Sequence, residues 1–379
     1  MKFLITQPYL HIPTLFCILY FVKGLILSGG AGTRLRPITH TNAKQLVPIA
    51  NKPILFYGIE SLVEAGIKEI GIIIGETGEE VRQIVGDGSL WGVNITYIPQ
   101  EAPLGLAHCV LIAEDFLGDD NFVMYLGDNM LERKIEELVL DFESVYSSDS
   151  LACRILLKEV ENPSTFGVAT IDHDGHVKEL VEKPSEPKSN LALVGIYFFT
   201  PMIHQAVKAI TPSKREELEI TDAIQWLIEQ EFTVDHEILT GWWIDTGKKD
   251  PLLECNKLVL DTIKEKIDET VLIDNHSEII GDIQIEESSL IRGSKIIGPA
   301  VIGKNVVIED CTIGPYVSIG DNCSVISSSV DNSVLLSGCK IDKTGRLTSS
   351  LLGCSSIVKG NSSTTSTLML GDDSTVELL

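Results

Sequence analysis

The sequence predicts two architectures in one chain, an α/β domain with a mostly parallel sheet followed by a parallel β-helix. The first prediction rests on short apolar runs that alternate with helical stretches between residue 23 and about residue 245. That alternation is typical of parallel sheets covered by helices on both faces. The second prediction rests on a six-residue repeat of apolar residues in the last third of the chain, which is typical of stacked coils.

The α/β part is expected to form a Rossmann-like domain over residues 22–248. Its candidate helices and strands are, in chain order, 53–65, 70–74, 78–85, 94–98, 105–116 and 121–126. Ligands of such sheets bind at the carboxyl ends of the strands. The glycine-rich loop after the first strand and Gly127-Asp128-Asn129 after strand 121–126 are therefore expected at the same edge.

A helical connector is expected over residues 249–267, with the helix itself running from Pro251 to Lys266. The remaining residues, 268–379, resemble a left-handed hexapeptide-repeat helix. The expected inward-facing residues, with one slip in the repeat, are Ile285, Ile291, Ile297, Val301, Val307, Ile313, Ile319 and Val325. Since the last histidine, His276, precedes the repeats, no histidine base is left for acyl transfer, and we expect a structural, homo-oligomer-forming domain.

The composition indicates a globular protein. The chain has 379 residues, 44% of them hydrophobic, and a formal net charge of −24. This charge disfavours nucleic acid and anionic membrane surfaces as partners. Eight cysteines without a Cys-x-x-Cys pair favour reduced thiols in a cytoplasmic protein over a zinc site or a disulfide framework.

The first 21 residues form a separate question. Residues 13–22 are apolar, but no small-residue cleavage site follows them, and the run is short for a membrane span. We expect residues 1–21 to be an N-terminal extension that arises from an over-called start, with Val22 as the true beginning.

The residues Gly24 to Pro37 predict a phosphate-binding loop. An apolar strand runs into Gly29, Gly30 and Gly32, whose backbone N–H groups can surround an anion. Arg34 adds a guanidinium fork, and Lys44 a second cation. A Walker loop is disfavoured because no lysine follows the glycines, and a dinucleotide fingerprint is disfavoured because Leu35 stands where the third glycine belongs. A purely structural turn is the alternative.

The longer string Gly-Gly-x-Gly-Thr-Arg-Leu-x-Pro, followed by Lys-Gln-Leu-x-Pro at residues 44–48, resembles the signature of the sugar-phosphate nucleotidyltransferases. This resemblance covers residues 23–265, and the added β-helix makes the whole chain similar to the long-form glucose-1-phosphate thymidylyltransferases. It implies that dTTP and glucose 1-phosphate react to dTDP-glucose and pyrophosphate, with Mg²⁺ as cofactor. The sugar-phosphate nucleophile is already an anion, so catalysis reduces to positioning and charge neutralisation.

The resemblance assigns catalytic roles to Arg34, Lys44 and Lys183, which with Mg²⁺ supply five positive charges. Asp128 and Asp245 are the candidate metal ligands, because two carboxylates and phosphate oxygens suit Mg²⁺. The Asp245 assignment matches the family's Trp-x-Asp-Thr-Gly. A strand-end turn for Asp128 and a helix cap for Asp245 are the structural alternatives.

The nucleotide site implied by the family consists of the glycine loop and a base-recognition segment. Its residues are Leu27, Gly29, Gly30, Gly32, Thr33, Arg34, Gln45, Gln100, Pro103 and Gly105. The Gln100 amide offers a donor and an acceptor, which suits the N3–H and O4 groups of thymine or uracil. We expect His108 to be a packing or capping residue, not a catalyst.

The sugar-phosphate site implied by the family is built from several short motifs. Its residues are Asp128, Phe166, Gly167, Glu182, Lys183, Val194, Gly195, Tyr197 and Glu219. Taken singly, Glu182 and Lys183 are equally compatible with an exposed charged pair before a proline turn. The order of the motifs along the chain favours the functional interpretation.

Three alternatives stay open at this point. The enzyme could take UTP with glucose 1-phosphate or N-acetylglucosamine 1-phosphate, since uracil presents the same edge as thymine. GTP with mannose 1-phosphate fits less well. A non-catalytic sensor or scaffold is the alternative of another class, although such proteins generally lose a phosphate-loop arginine or a metal aspartate, and this chain keeps both.

Overall fold

A nine-stranded sheet lies at the centre of the first domain. The computed structural model of the protein describes residues 22–30, 32–145, 150–360 and 364–379, so the extension expected over residues 1–21 lies outside the described part. The elements of this domain are β1 (Val22–Ser28), β2 (Pro48–Ile49), β3 (Lys52–Pro53), α1 (Ile54–Glu64), β4 (Glu69–Ile74), α2 (Gly78–Val85), β5 (Asn94–Pro99), α3 (Leu106–Ile112), α4 (Glu114–Leu117), β6 (Asn121–Leu126), β7 (Asn129–Leu131), α5 (Ile135–Val145), β8 (Leu151–Glu159), β9 (Gly167–Ile171), β10 (Val177–Glu182), β11 (Leu191–Phe199), α6 (Ile203–Ala209), α7 (Ile220–Glu229), β12 (Thr233–Ile238), β13 (Trp243–Asp245) and α8 (Lys249–Leu260).

The strand order confirms the predicted sheet and places its functional edge. The path through the sheet is β10-β9-β11-β6-β1-β4-β5, with β8 and β12 joined beside β11. Strands β6, β1, β4 and β5 run parallel, while β11 is antiparallel to β6. Because β1 lies between β6 and β4, the loops that follow β1 and β6 meet at one edge.

The parallel strands are almost continuously apolar because both faces of the sheet are covered. Strand β4 reads Glu-Ile-Gly-Ile-Ile-Ile, and its last five residues are buried. Strand β6 has five buried residues in succession. Helix α1 covers one face, on which Leu55, Ile59 and Leu62 pack in one cluster; α3 and α7 lie on the other. This pattern is expected where a parallel sheet has no solvent-facing side.

The second domain is a parallel β-helix in which equivalent strands of successive coils pair in register. Its strands are β14 (Lys266–Ile267), β15 (Leu272–Ile273), β16 (Glu278–Ile280), β17 (Ile283–Ile285), β18 (Leu290–Arg292), β19 (Lys295–Ile297), β20 (Ala300–Ile302), β21 (Val307–Glu309), β22 (Thr312–Ile313), β23 (Val317–Ile319), β24 (Ser324–Asp331), β25 (Ser333–Leu335), β26 (Lys340–Thr348), β27 (Leu351–Leu352), β28 (Ile357–Gly360), β29 (Thr365–Ser366), β30 (Met369–Leu370) and β31 (Thr375–Leu378). Ile285 pairs with Ile302, and Ile302 with Ile319.

The spacing of the inward-facing residues differs from the expected one. Ile297, Val301 and Val307 lie outside the cluster that fills the coils, and their neighbours Ile296, Ile302 and Ile308 lie inside it. For the part of the repeat that the sequence predicted, the residues that line the interior are therefore Ile285, Ile291, Ile296, Ile302, Ile308, Ile313, Ile319 and Val325. Successive positions are six or five residues apart, because one side of each coil is a residue shorter. The single slip seen in the sequence is thus a feature that returns in successive coils.

Helix α8 connects the domains and ends at Leu260, earlier than the expected Lys266. Lys266 already belongs to β14, which pairs with β17 inside the β-helix. Pairing with a neighbouring coil therefore overrides the helical pattern of this segment. Among the residues that the structure describes, no helix combines the length and the apolar character needed to cross a bilayer.

Candidate active site

Two cavities lie side by side at the functional edge of the sheet. The first has a volume of about 440 Å³ and the second of about 520 Å³. Six residues line both of them: Arg34, Leu106, Leu126, Asp128, Arg215 and Glu217. A molecule in one cavity would therefore contact a molecule in the other at these shared side chains.

The first cavity collects all of the expected nucleotide-binding residues. The residues that line it are Leu27, Gly29, Gly30, Gly32, Thr33, Arg34, Lys44, Gln45, Gln100, Pro103, Gly105, Leu106, Cys109, Leu126, Asp128, Arg215, Glu217 and Gly247. They come mainly from three short segments, which follow β1, form the turn at Lys44–Leu46, and lead into α3.

Steric contacts explain why two positions of the phosphate loop are glycine. Gly32 has a φ of +61°, and a Cβ atom there would lie 2.9 Å from Lys44 Cβ. At Gly29 a Cβ would lie 3.1 Å from Gln100 Oε1. The Thr39 hydroxyl donates to the Gly32 carbonyl at 2.7 Å and fixes the turn. The glycines thus let the loop pack directly against both Lys44 and Gln100.

A buried amide in this cavity is left with an unused acceptor. Gln45 is only 4% exposed, and its Oε1 has no hydrogen-bond partner among the described residues. Leaving a buried acceptor unpaired costs about 1–3 kcal/mol. Because Gln45 lines the first cavity, a hydrogen-bond donor on a bound molecule would satisfy it.

The Gln100 side chain is oriented by His108, a residue that the sequence analysis left out of the site. Gln100 Nε2 lies 3.0 Å from His108 Nδ1. An amide nitrogen only donates, so the ring nitrogen accepts. Burial lowers the pKa of His108, which keeps the ring neutral and able to accept. This bond leaves Gln100 Oε1 facing Gly29 and the cavity.

The expected metal ligands converge on the ammonium group of Lys44. Lys44 Nζ forms an ion pair with Asp128 Oδ2 and lies 3.9 Å from Asp245 Oδ1. Lys44 is 8% exposed. Burial lowers its pKa to about 8, with Asp245 opposing and Arg34 adding to this shift. Arg34 Nη2 lies 3.4 Å from Asp245 Oδ2.

Local pairing explains why Asp245 reaches Asp128 from more than a hundred residues away. In the antiparallel ladder of β13 and β7, Asp245 is opposite Asn129. The next residue, Thr246, donates from both its backbone N–H and its hydroxyl to the Asp128 carbonyl, at 3.0 and 2.7 Å. Asp245 Oδ1 accepts from the Gly247 N–H at 2.9 Å. The turn and the strand end are thereby locked together.

The two carboxylates fit a hard divalent cation that phosphate oxygens and water would complete. Among the described residues no three His, Cys, Asp or Glu side chains come together as a metal cluster. The pair Asp128 and Asp245 nevertheless faces one point, and the Lys44 ammonium already stands at that point as a cation. Oxygen donors of this kind suit Mg²⁺, which keeps several non-protein ligands.

The second cavity collects all but one of the expected sugar-phosphate residues. The residues that line it are Arg34, Leu106, Leu126, Asp128, Asn129, Thr165, Phe166, Gly167, Glu182, Lys183, Leu193, Gly195, Tyr197, Arg215, Glu217, Glu219, Ile220, Thr221, Trp243 and Asp245. Val194 is the exception, because its side chain is fully buried in the core on the other face of β11. The adjacent Gly195 lines the cavity, and a side chain there would clash, since a Cβ would lie 2.7 Å from the Asn129 side chain.

Arg215 is the main functional candidate that the sequence analysis missed. It lines both cavities, and its guanidinium lies 3.2 Å from Glu182, 3.0 Å from Glu217 and 3.4 Å from Glu219. Glu219 is almost fully buried, and burial raises its pKa. The only signal in the sequence was the position of Arg215 in the polar segment just before Glu219.

The other lining residues that were not expected are mostly apolar or neutral. Trp243 donates from Nε1 to Asn129 Oδ1 at 2.7 Å, and its ring centroid lies 5.3 Å from that of Phe166. Such residues fix the shape of the second cavity. Leu126 and Leu193 lie in ordinary apolar strands, so their sequence context gives no signal, whereas Trp243 belongs to the Trp-x-Asp-Thr-Gly motif.

Comparisons with known proteins identify the family of this chain. A family described as nucleotidyl transferase matches residues 23–262, and one described as GMPPB C-terminal domain matches residues 296–378. A glucose-1-phosphate thymidylyltransferase of Streptomyces antibioticus is 51% identical over 332 residues, and one of Streptomyces griseus is 48% identical. In both cases the match covers 88% of this chain and 92% of the relative.

Solved structures match about two thirds of the chain. A protein of Bacillus anthracis assigned as a glucose-1-phosphate thymidylyltransferase is 35% identical, with a TM-score of 0.59, over 65% of this chain and 98% of that one. A UDP-glucose pyrophosphorylase complexed with UDP-glucose is 25% identical, with a TM-score of 0.57, over 64% and 99%. By the family match and by the extent of its relatives, this chain belongs to the nucleotidyl transferase family.

Proposed function

We propose that this enzyme condenses dTTP with glucose 1-phosphate to give dTDP-glucose and pyrophosphate. The observation that supports this most is the junction of the two cavities, where Arg34, Asp128 and Arg215 line both. A reaction between a nucleotide and a sugar phosphate needs two sites that meet at their phosphate ends. The Streptomyces relatives are glucose-1-phosphate thymidylyltransferases, which supports the same substrate pair.

The first cavity suits a pyrimidine nucleotide. Gln100 Oε1 faces Gly29 and the cavity, so it would accept a hydrogen bond from the N3–H group of thymine. The free acceptor on Gln45 would take a donor from the same ligand. The glycine loop and Arg34 lie beside it, where the triphosphate would bind.

The second cavity suits a hexose with an anionic phosphate. Glu182 and Glu219 would accept hydrogen bonds from sugar hydroxyls, and Lys183 and Arg215 would bind the phosphate. Glu182 Oε1 lies 3.0 Å from Lys183 Nζ and 3.2 Å from Arg215 Nη1. The acceptors and the cations therefore stand next to each other, as a sugar phosphate requires.

The reaction would proceed in line at the α-phosphorus. An oxygen of the sugar phosphate forms a bond to this phosphorus while the bond to the leaving pyrophosphate breaks. Lys183 and Arg215 position the nucleophile, and Arg34 neutralises charge that develops on the leaving group. Lys44 neutralises the nucleotide phosphates. A bound Mg²⁺, held by Asp128 and Asp245, would supply further positive charge at these phosphates.

The direct test is pyrophosphate release with Mg²⁺ and glucose 1-phosphate, comparing dTTP, UTP, CTP, ATP and GTP. A clear preference for dTTP supports the proposal. Comparing Mg²⁺ with Mn²⁺, Ca²⁺ and a chelator tests the cofactor. Release of no pyrophosphate with any pair would overturn the proposal and restore the sensor interpretation.

UTP with glucose 1-phosphate is the second candidate. Uracil carries the same N3–H group, so Gln100 does not separate the two bases. The similarity to a UDP-glucose pyrophosphorylase supports this alternative. A kcat/KM for UTP equal to or above that for dTTP would establish it.

Homo-oligomer formation through the β-helix and a cytoplasmic location stay predictions.

A further inference from the structure

The segment between the two proposed phosphate-binding cations contacts the β-helix. Arg34 and Lys44 lie at the two ends of residues 34–44. Between them, Thr41 Oγ1 donates to Asp372 Oδ2 at 2.7 Å, and Asn42 Nδ2 donates to the same oxygen at 2.8 Å. Asp372 lies between β30 and β31, close to the end of the chain.

Asp372 is itself held firmly within the β-helix. Its second oxygen, Oδ1, accepts from the Cys354 N–H of the preceding coil at 2.7 Å. The neighbouring Gly371 approaches the same loop so closely that a Cβ there would lie 3.0 Å from the Pro37 carbonyl oxygen. One carboxylate thus connects a rigid ladder with the loop.

The apolar side of the same loop is anchored on the β-helix as well. Leu35 and Ile38 are fully buried in a cluster that also contains Val334, Leu336 and Leu351 of the β-helix. Leu35 directly follows Arg34, so the position of this side chain in the interface fixes the backbone that bears the guanidinium. Hydrogen bonds and apolar packing therefore hold the loop from the same side.

The loop in turn reaches the glycine turn. Thr39, two residues before Thr41, donates its hydroxyl to the Gly32 carbonyl at 2.7 Å. Gly32 packs against Lys44 and Thr39. From Asp372 to the phosphate loop there is a continuous series of contacts.

We propose that Asp372 is a positioning residue through which the last coil of the β-helix holds the Arg34–Lys44 loop in its catalytic geometry. This inference rests on the proposed function. The match to the Bacillus anthracis structure leaves about a third of this chain uncovered. Since the base and sugar contacts lie on other segments, loosening the loop lowers kcat more than it raises either KM.

The test compares Asp372→Ala with the control Asp373→Asn. Asp373 is the adjacent, exposed aspartate, and asparagine tolerates the positive φ of its backbone. We expect Asp372→Ala to lower kcat about tenfold, since small misplacements of catalytic groups have effects of this order or larger. Asp373→Asn should behave as the unmodified chain. Both KM values should change less than about twofold.

Two further variants separate positioning from general loosening of the interface. Asn42→Ala removes one of the two loop bonds to Asp372 from the other side, and the double variant should lose no more than Asp372→Ala alone, because Asp372→Ala already removes that bond. Lys249→Ala breaks an interface bond to the Ser349 carbonyl away from the loop. It should leave kcat unchanged.

Hydrogen exchange of the amides in residues 36–44 gives a readout that needs no turnover. Exchange in this segment should become faster in Asp372→Ala and stay unchanged in Asp373→Asn. Equal kcat and equal exchange in these two variants, or additive losses in the double variant, would overturn the inference. If the unmodified chain shows no turnover, the proposed function is overturned. The positioning role of Asp372 would still be tested, because the exchange experiment needs no turnover.

Discussion

The two cavities differ in how the chain builds them. The first is formed largely by backbone and by three short segments, and the expected nucleotide residues all line it. The second is assembled from side chains of many separate segments, most of which lie between Asp128 and Asp245 in the sequence. A site made of glycine turns has a conspicuous sequence because few other residues fit. A site made of charged side chains on a sheet resembles an ordinary surface until the fold joins its parts.

The largest expected effect tests whether the second cavity contributes to chemistry or only to affinity. Replacing Lys183 with alanine should lower kcat/KM about 1000-fold, because it removes a cation at the reacting phosphate. Lys44→Ala should give a loss of the same order in the first cavity. Pyrophosphate release measures the loss, and an unchanged thermal midpoint shows that the fold is intact.

Lys188→Ala is the matched control for Lys183, because this lysine is exposed and pairs with Glu179 at the surface. It should retain full activity. Turnover near that of the unmodified chain in Lys183→Ala would remove this residue from the chemistry and leave the second cavity with a binding role only.

A smaller effect is expected at the boundary of the two cavities. Arg34→Ala should lower kcat about 100-fold, because the guanidinium meets charge that grows as pyrophosphate leaves. The Kd for dTTP, measured by calorimetry with Mg²⁺, should rise less than about threefold. Equal losses in kcat and in affinity would show that Arg34 binds the ground state and the transition state alike.

Arg215→Ala is expected to act mainly on the sugar phosphate. Its removal leaves Glu182, Glu217 and Glu219 without their shared cation, so the KM for glucose 1-phosphate should rise about tenfold. The exposed neighbour Lys214, changed to alanine, is the control. A rise confined to the nucleotide KM would assign Arg215 to the first cavity instead.

The smallest effect concerns the pH dependence of base recognition. Burial holds the pKa of His108 below its usual value of 6.5, and the neutral ring accepts from Gln100. As the pH falls through this lowered pKa, the ring becomes a donor at both nitrogens and the bond is lost. The KM for dTTP should then rise about fivefold, the equivalent of one hydrogen bond.

His108→Ala isolates this titration from that of the phosphates, whose own pKa lies near 6. In this variant the KM for dTTP should be raised at neutral pH and should no longer respond to the state of residue 108. An identical pH profile in both proteins would mean that His108 has no part in orienting Gln100.

Much of the fold and of the candidate site could be predicted from the sequence, for physical reasons. The apolar runs of β4 and β6 and the glycines of the phosphate loop have few alternative explanations. The roles of Arg215 and His108 could not be predicted from the sequence. Charged residues in loops and histidines on helices occur throughout proteins, and most of them have no role in a binding site. Only the fold shows that one reaches both cavities and that the other faces Gln100.

The β-helix shows the same limit. Its repeat was visible, but the choice between Ile296 and Ile297 depends on which side of each coil is shorter. Two adjacent isoleucines give no preference on their own. The pairing of Lys295 and Ile296 with Thr312 and Ile313 in the next coil decides it.

The hydrogen bond between Asn42 and Asp372 joins residues that are 330 positions apart in the sequence. This separation determines when the bond can form during translation. A ribosome that has released the whole first domain has not yet made the aspartate that holds its loop. A nascent or truncated chain would thus have all the proposed substrate-binding residues and lack this brace. Full turnover would begin only when translation reaches the last coil, so an incomplete product would compete for substrates with little effect on flux.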